Sequence, residues 1–334
     1  FRSLWLQLLT EQRDRTKQSI EKMKRILIVG AGGQIGSELT THLRGIYGQH
    51  NVLAADIHGD REDNDFVQLD ALDAEAMART VRENRIDTIF NLVALLSATG
   101  EANPQKAWRV NMGALMNALE VAREYRCAVF TPSSIGAFGP DAPKDLTPQD
   151  TPMHPTTIYG VCKVTGELLS NYYFQRFGVD ARSVRLPGVI SSQALPGGGT
   201  TDYAVEIFYA ALKGERFVCP VPHDRFMDMI YMPDVLNAMV QLMEADPSRL
   251  VHRNGYNVAS MSFSPEIICA EIRKHIPAFE MTYEIDPVKD AISDGWPNLM
   301  DDSVARAEWD WAPKWNLQEM TADMLRVLGE RLGK

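Results

Sequence analysis

"ILIVGAGGQIGSEL", residues 26–39, is the stretch that decides the fold. Four aliphatic residues end on Gly30, glycines recur at 33 and 36, and a helix-forming run follows. A first strand turning into a first helix has this form. Glycine at the turn avoids the penalty a side chain meets at unusual backbone angles, and glycine beside a ligand lets the backbone approach a pyrophosphate. The free amides of the helix start, from Gln34 and Ile35, and the positive end of the helix dipole then face the phosphate charge. Gly36 permits tight packing of helix on strand. A glycine triplet alone also fits a plain tight turn, so its surroundings decide.

Twenty residues after Gly36, "NVLAADI" places Asp56 at the end of a second strand. A carboxylate there accepts hydrogen bonds from both hydroxyls of an adenosine ribose and repels a 2′-phosphate, which favours NAD over NADP. His58 and Arg61 lie close behind and offer the competing reading of a phosphate site. Asp70, in "VQLDALD", follows a further short strand, where it reaches an adenine amino group or caps a helix. The runs "DTIFNLV", "CAVFTPSS" and "ARSVRLP" read as a third, fourth and fifth strand, with helices such as "QIGSELTTHLRGIYG" and "DAEAMARTVREN" between. Apolar strands alternating with helices predict an α/β fold, a Rossmann-type doubly wound parallel sheet with right-handed crossovers. Residues 24–190 form its NAD-binding domain, with returning segments at about 226–260. Past residue 190, "PGGGTTDYAVEIFYAAL" is a glycine-rich loop entering a helix. Residues 191–225 and 261–334 read as a smaller, discontinuous C-terminal substrate-binding lobe.

Composition narrows the partners. A net charge of −10 argues against nucleic acid and against an anionic membrane surface, and no apolar run is long enough to span a bilayer. The four cysteines, at 127, 162, 219 and 269, lack the spacing of a zinc site or a disulfide framework, which fits reduced thiols in the cytoplasm. No HExxH-like spacing is present, so no metal site is expected. Residues 1–22 precede Met23 and fit neither a signal nor a transit peptide; they read as an N-terminal extension able to form an amphipathic helix.

The chemistry centres on "YGVCK", residues 159–163. Tyrosine ionises near pH 10 in water. A phenol acting as base at neutral pH therefore needs a cation beside it. Positions i and i+4 of a helix share a face, which sets Lys163 beneath Tyr159. Such a pair is common on plain surface helices. Here it follows a dinucleotide loop and a strand ending in Ser133 and Ser134, at the sheet edge where parallel sheets bind ligands. A serine hydroxyl there holds a substrate oxygen in line with the phenol, while hydride passes to a bound cofactor.

With these residues in place the chain resembles the extended short-chain dehydrogenase/reductase family, nearest its metal-free L-threonine 3-dehydrogenase branch. "GAGGQIGSEL", "LLSATGEANPQKAWRVNM", "PSSIGAFGP", "TIYGVCKVTGELL", "RLPGVI", "PGGGTTDYAV" and "DGWPNLMDDSVARAEWDW" carry the likeness, which runs from residue 24 to the C-terminus. The triplet and the Tyr/Lys pair mark the broad family; "LLSATGE" and "GGGTTDYAV" are more specific. The resemblance implies oxidation of L-threonine by NAD to L-2-amino-3-oxobutanoate. It carries the base onto Tyr159, its partner onto Lys163 and the hydroxyl anchor onto Ser134 rather than Ser133. It further implies a substrate pocket lined by Leu95, Ser97, Thr200 and Thr201. It also implies cofactor contacts from Ala71, Leu92, Ala94, Asn111, Pro187 and Val189. Gly136 stands where relatives usually have alanine, a change that loosens the turn without removing a reactive group.

A threonine zwitterion needs donors for its carboxylate and acceptors for its ammonium, which the amides of "PGGGTT" and the hydroxyls of Ser97, Thr200 and Thr201 supply. Ser97 also reads as a helix cap, and the glycine-rich loop as a linker. Trp108, Trp296, Trp309 and Trp311 read as packing residues. The helices in "AWRVNMGALMNALEVAREY" and "TGELLSNYYFQRF" carry apolar stripes wider than one core face needs. In the extended family the matching helices form a four-helix contact, so a homodimer is expected, against burial within the monomer. Two other functions compete. A nucleotide-sugar epimerase or dehydratase would need basic residues in the second lobe, which the glycine-rich stretch lacks. A non-catalytic NAD-sensing regulator would lack the base, yet Tyr159, Lys163 and Ser134 are all present.

Overall fold

A computed structural model describes residues 23–59, 62–193, 197 and 199–333. The expected N-terminal helix and Arg61 therefore lie outside the described residues. The chain opens with β1 (Ile26–Val29), α1 (Gln34–Tyr47), β2 (Val52–Asp56), β3 (Phe66–Gln68), α2 (Ala74–Asn84) and β4 (Thr88–Asn91). There follow α3 (Ser97–Ala102), α4 (Pro104–Tyr125), β5 (Ala128–Phe130), β6 (Ser133–Ser134), α5 (Ile158–Phe177), β7 (Ala181–Arg182), β8 (Val184–Leu186) and β9 (Gly188–Ile190). Six of these strands form one sheet in the order β3-β2-β1-β4-β5-β7, with every neighbouring pair parallel. The order reverses between β1 and β4, and open parallel sheets bind ligands at that crevice.

Successive side chains of a strand point to opposite faces, and β1 shows the outcome. Ile26 and Ile28 join a core with Leu39 and Leu43 of α1. Leu27 and Val29 join a different one with Leu115 and Leu119 of α4 and Tyr173 of α5. Helices on both faces explain why the strand is aliphatic throughout.

Two expected strands turn out to be divided. "CAVFTPSS" breaks at Thr131 and Pro132, because proline brings no N–H to the ladder. "ARSVRLP" changes partners at Ser183: Ala181–Arg182 closes the main sheet, while Val184–Leu186 pairs with β6 and with β12 (Tyr256–Asn257) in a second sheet. The chain thus leaves the main sheet twice at neighbouring points.

Beyond β9 come α6 (Tyr203–Lys213), β10 (Phe217–Cys219), β11 (Met227–Tyr231), α7 (Met232–Glu244) and, after β12, β13 (Met261–Phe263) and α8 (Pro265–His275). The chain closes with β14 (Met281–Tyr283), α9 (Pro287–Asp294), α10 (Ser303–Trp309) and α11 (Leu317–Leu332). Strands β9, β11 and β13 form a third sheet, and β10 and β14 pair separately. Tyr203, Phe208, Met229, Phe263 and Met320 fill one core of this half. Trp309 and Trp311 instead pack beside Ile26 and Leu39. The cysteines are all free and buried, and among the described residues no helix is long and apolar enough to cross a membrane.

Candidate active site

The site is built at the carboxyl ends of β1, β2, β4 and β6. Gly30 has φ +90°, and a Cβ there would press on the Leu92 and Val93 backbone at 3.1 Å. On Gly36 a Cβ would lie 2.1 Å from the Gly30 carbonyl oxygen, so α1 crosses the turn closer than any side chain allows. Gly33 caps α1 without a side-chain bond, leaving the first helical amides to face outward. Asp56 ends β2 with Oδ2 accepting from Gly32 N–H at 2.9 Å and Oδ1 from Ile57 N–H at 2.7 Å. Oδ1 also takes a long contact from His58 N–H at 3.5 Å, and Oδ2 keeps a lone pair for a ribose hydroxyl. The cradle of bare backbone, helix start and carboxylate fits an adenosine diphosphate moiety. Asp70 is exposed and accepts from Leu72 N–H; the residue that caps α2 is Asp73.

At the other end lie the side chains expected to carry the chemistry. Thr157 caps α5 by accepting from Gly160 N–H, and Gly178 ends the helix in a left-handed turn, which fixes Tyr159 and Lys163 in the first two turns. The Lys163 ammonium donates to the Pro132 carbonyl at 2.6 Å and sits 5.2 Å from the centre of the Tyr159 ring. A charged hydrogen bond contributes about 1.5–3 kcal/mol. That matches the roughly 2 kcal/mol of rotamer freedom a lysine loses, so the ammonium is held in place. Pro132, which interrupts the strand, thereby supplies the carbonyl that anchors the cation. Ser134 Oγ accepts from Gly136 N–H at 3.1 Å. A Cβ on Gly136 would stand 3.2 Å from the Tyr159 ring and 3.5 Å from Ser134 Oγ, so the serine and the phenol flank one glycine. Cys162 is buried between Tyr159 and Lys163; burial pushes its thiol up, against weaker pulls from Lys163 and Asn111. It is a neutral packing atom.

The expected substrate residues meet on the same side. Ser97 is not a side-chain cap; its hydroxyl lies 3.3 Å from that of Thr200, and both residues are buried. Thr201 packs on Gly188, where a Cβ would come 2.7 Å from the threonine methyl, beside Val189 and Pro187. The short helix α3 joins these groups to Tyr159: Glu101 accepts from Ile158 N–H at 2.7 Å. Asn111 is committed at both ends to Leu95, accepting from its N–H at 2.7 Å and donating to its carbonyl at 3.1 Å. It therefore shapes the wall formed by Leu92, Ala94 and Leu95. Ala71 is buried, with its carbonyl taken by Asn117. A cavity of about 30 Å³ lies beside Lys163, lined by Val93, Met112 and Leu115 as well as Asn91, Asn111 and Glu167. Among the described residues no cluster of three His, Cys, Asp or Glu is placed to hold a metal.

Sequence reasoning passed over two features here. Gly160 lets α5 touch the 135–137 turn, since a Cβ there would lie 2.2 Å from the Gly136 carbonyl oxygen. Glu167, one turn past Lys163, is buried with Arg185. The signal for both is a run of glycine and charge at helical spacing, 160, 163 and 167, on one face.

A parallel sheet with a phosphate cradle at its switch point and a serine, tyrosine and lysine at its edge defines a dinucleotide-dependent enzyme of the short-chain dehydrogenase type. The pattern of the NAD dependent epimerase/dehydratase family matches residues 26–259, and the chain belongs to that family, with NAD as cofactor. It is 54% identical over 314 residues to an uncharacterised epimerase/dehydratase of Staphylococcus haemolyticus, covering 92% of this chain and 99% of the relative. Among solved structures it matches an L-threonine dehydrogenase of Clostridium difficile with a TM-score of 0.90 and 49% identity, covering 93% and 99% of the two chains. A GalE-like L-threonine dehydrogenase of Cupriavidus necator, in its holo form, matches with a TM-score of 0.89 and 48% identity over 91% and 99%.

Proposed function

We propose that the protein oxidises the 3-hydroxyl of L-threonine, giving L-2-amino-3-oxobutanoate, and that NAD takes up the hydride. The observation that carries this reading is the placement of Ser134 and Tyr159 on either side of Gly136, with the Lys163 ammonium against the phenol ring. In this reading Ser134 holds the substrate hydroxyl and Tyr159 takes its proton as a phenolate, favoured by Lys163. Bound NAD supplies an electron-poor ring that accepts a hydride. The chain's own part is to hold the adenosine end through Gly30, Gly33, Gln34, Ile35, Gly36 and Asp56, and to line the nicotinamide end with Pro187 and Val189. Leu95, Ser97, Thr200 and Thr201 surround a small polar substrate, with residues 191–225 and 261–334 as the substrate side of the molecule.

Solved neighbours of nearly half identity named as L-threonine dehydrogenases support this substrate. An epimerase or dehydratase acting on a nucleotide sugar is the second reading. The absence of lysine and arginine from residues 193–201 speaks against it, because a second pyrophosphate needs cations. Two further parts belong to the reading: a homodimer through α4 and α5, and a reducing, cytoplasmic setting that suits four buried thiols.

NADH absorbance with L-threonine, L-allo-threonine and L-serine tests the substrate, and L-threonine is expected to turn over fastest. Equal rates with all three, or none, would overturn it. Asp56→Ala is expected to raise the Kd of NAD by roughly 30-fold while changing that of NADP by less than about 3-fold, since the ribose bonds are lost only for NAD. A calorimetric titration with both cofactors reads this, and equal shifts would refute the ribose assignment.

A further inference from the structure

On α5, Gly160, Lys163 and Glu167 lie on one face and meet the segment 132–136 at three points. Gly160 abuts the Gly136 carbonyl, Lys163 donates to the Pro132 carbonyl, and Glu167 Oε1 accepts from the Ser133 hydroxyl at 2.5 Å. The third contact extends further. Arg185 of β8 donates to the same carboxylate through both arms of its fork, Nε to Oε1 at 3.0 Å and Nη2 to Oε2 at 2.9 Å. Its remaining amine, Nη1, donates to the Gln149 carbonyl at 2.9 Å and to Asn257 Oδ1 at 3.0 Å. Glu167 and Arg185 are both 5% exposed, and a Cβ on Gly255 would come 2.4 Å from Glu167 Oε2.

Stability alone does not account for such a pair. A buried ion pair replaced by apolar side chains of the same volume usually leaves a protein as stable or more so. What a bidentate fork adds is orientation. Orientation is scarce at this point of the fold. Strand β6 is two residues long, with Ser133 opposite Arg185 and Ser134 opposite Leu186. So short a ladder specifies its register weakly, and a slip of one residue would exchange the faces of the two serines. Ser133 faces Glu167, and its neighbour Ser134 therefore points the other way, towards Gly136 and Tyr159.

We infer that the Glu167–Arg185 pair, through Ser133, is a positioning device that sets the Ser134 hydroxyl against Tyr159. The inference rests on the proposed oxidation for its readout. Glu167, Arg185 and Ser133 touch no reacting atom; they act through Ser134.

A double-mutant cycle tests it. Ser133→Ala is expected to lower kcat for L-threonine about 10-fold and Glu167→Gln about 30-fold, with the KM for NAD within about 2-fold of the parent, because misplacement affects the reacting groups and not the cofactor cradle. In a Ser134→Ala background each change is expected to lower kcat by less than about 3-fold, since the group being placed is already gone. The same fold-loss in both backgrounds, or an unchanged kcat in Ser133→Ala and Glu167→Gln, would overturn the inference. Ser133→Ala leaves the ion pair whole, so it decides the matter should Glu167→Gln fail to fold. A parent that leaves L-threonine untouched would bring down the proposed function instead. A crystal structure of Ser133→Ala would then decide the positioning, which requires Ser134 Oγ to leave its 3.1 Å contact with Gly136 N–H.

Discussion

On its inner face α5 carries Gly160, Lys163, Glu167 and Ser170; on its outer face it carries Val161, Leu168 and Tyr172. A surface helix ordinarily buries its apolar stripe and gives its charges to water. This one buries Cys162 and Tyr173 in the usual way but inverts the pattern locally, with Glu167 5% exposed and Leu168 62% exposed although they are adjacent in sequence. The inner face gives its charged groups polar neighbours: a carbonyl for Lys163, a hydroxyl and a guanidinium for Glu167. The outer face leaves Val161, Leu168 and Tyr172 exposed, and Trp108 on α4 is 44% exposed where packing was expected. Trp296, Trp309 and Trp311 are buried as expected. One helix thus presents two different faces, the proposed chemistry on one and exposed apolar side chains on the other, and the two can be separated by mutation.

The sharpest separation is Tyr159→Phe. Loss of the phenol oxygen is expected to cut the rate with L-threonine at least ~100-fold, read from NADH absorbance, with Tm moved by less than about 2 °C. Full activity in that variant would refute the assignment of the base. Gly160→Ala disturbs the same face through the backbone. Its methyl would meet the Gly136 carbonyl at 2.2 Å, so it is expected to destabilise by about 2–3 kcal/mol and slow turnover ~30-fold. Urea unfolding reads the first effect, and a stability equal to the parent's would show that the helix and turn slide freely. The outer face should give the smallest effect on chemistry. Leu168→Glu with Tyr172→Glu is expected to raise the Kd for self-association at least ~10-fold while keeping kcat within about 3-fold of the parent. Sedimentation velocity decides it, and a parent that is monomeric at micromolar concentration would remove the dimer from the proposal.

The parts of this arrangement that were legible in the sequence are local. "ILIVG", the glycines at 30, 33 and 36, "VLAAD" and "YGVCK" each declare themselves within a few residues, because strand, turn and helix face are short-range properties. The division of "ARSVRLP" at Ser183 was not legible. No turn residue interrupts the run at Ser183, and the partner that meets it there, Gly255 N–H on the Ser183 hydroxyl, comes from 72 residues away. Nor was the Glu167–Arg185 pair, whose members lie 18 residues apart on different elements. A lone glutamate on an apolar helix gives no sign of its partner. Ser97 and Thr200 were legible as candidates, yet their bond to each other, across 103 residues, was not.

That last contact bears on which alcohols the site admits. The two buried hydroxyls share one hydrogen bond, and a visitor that parts them must replace it. A zwitterion brings an ammonium and a carboxylate to do so. A plain secondary alcohol brings neither and would strand both hydroxyls in a dry wall, a loss of about 1–3 kcal/mol for each group left bare. In the proposed reading, this pair therefore adds to discrimination against simple alcohols, independent of how well the reacting carbon fits.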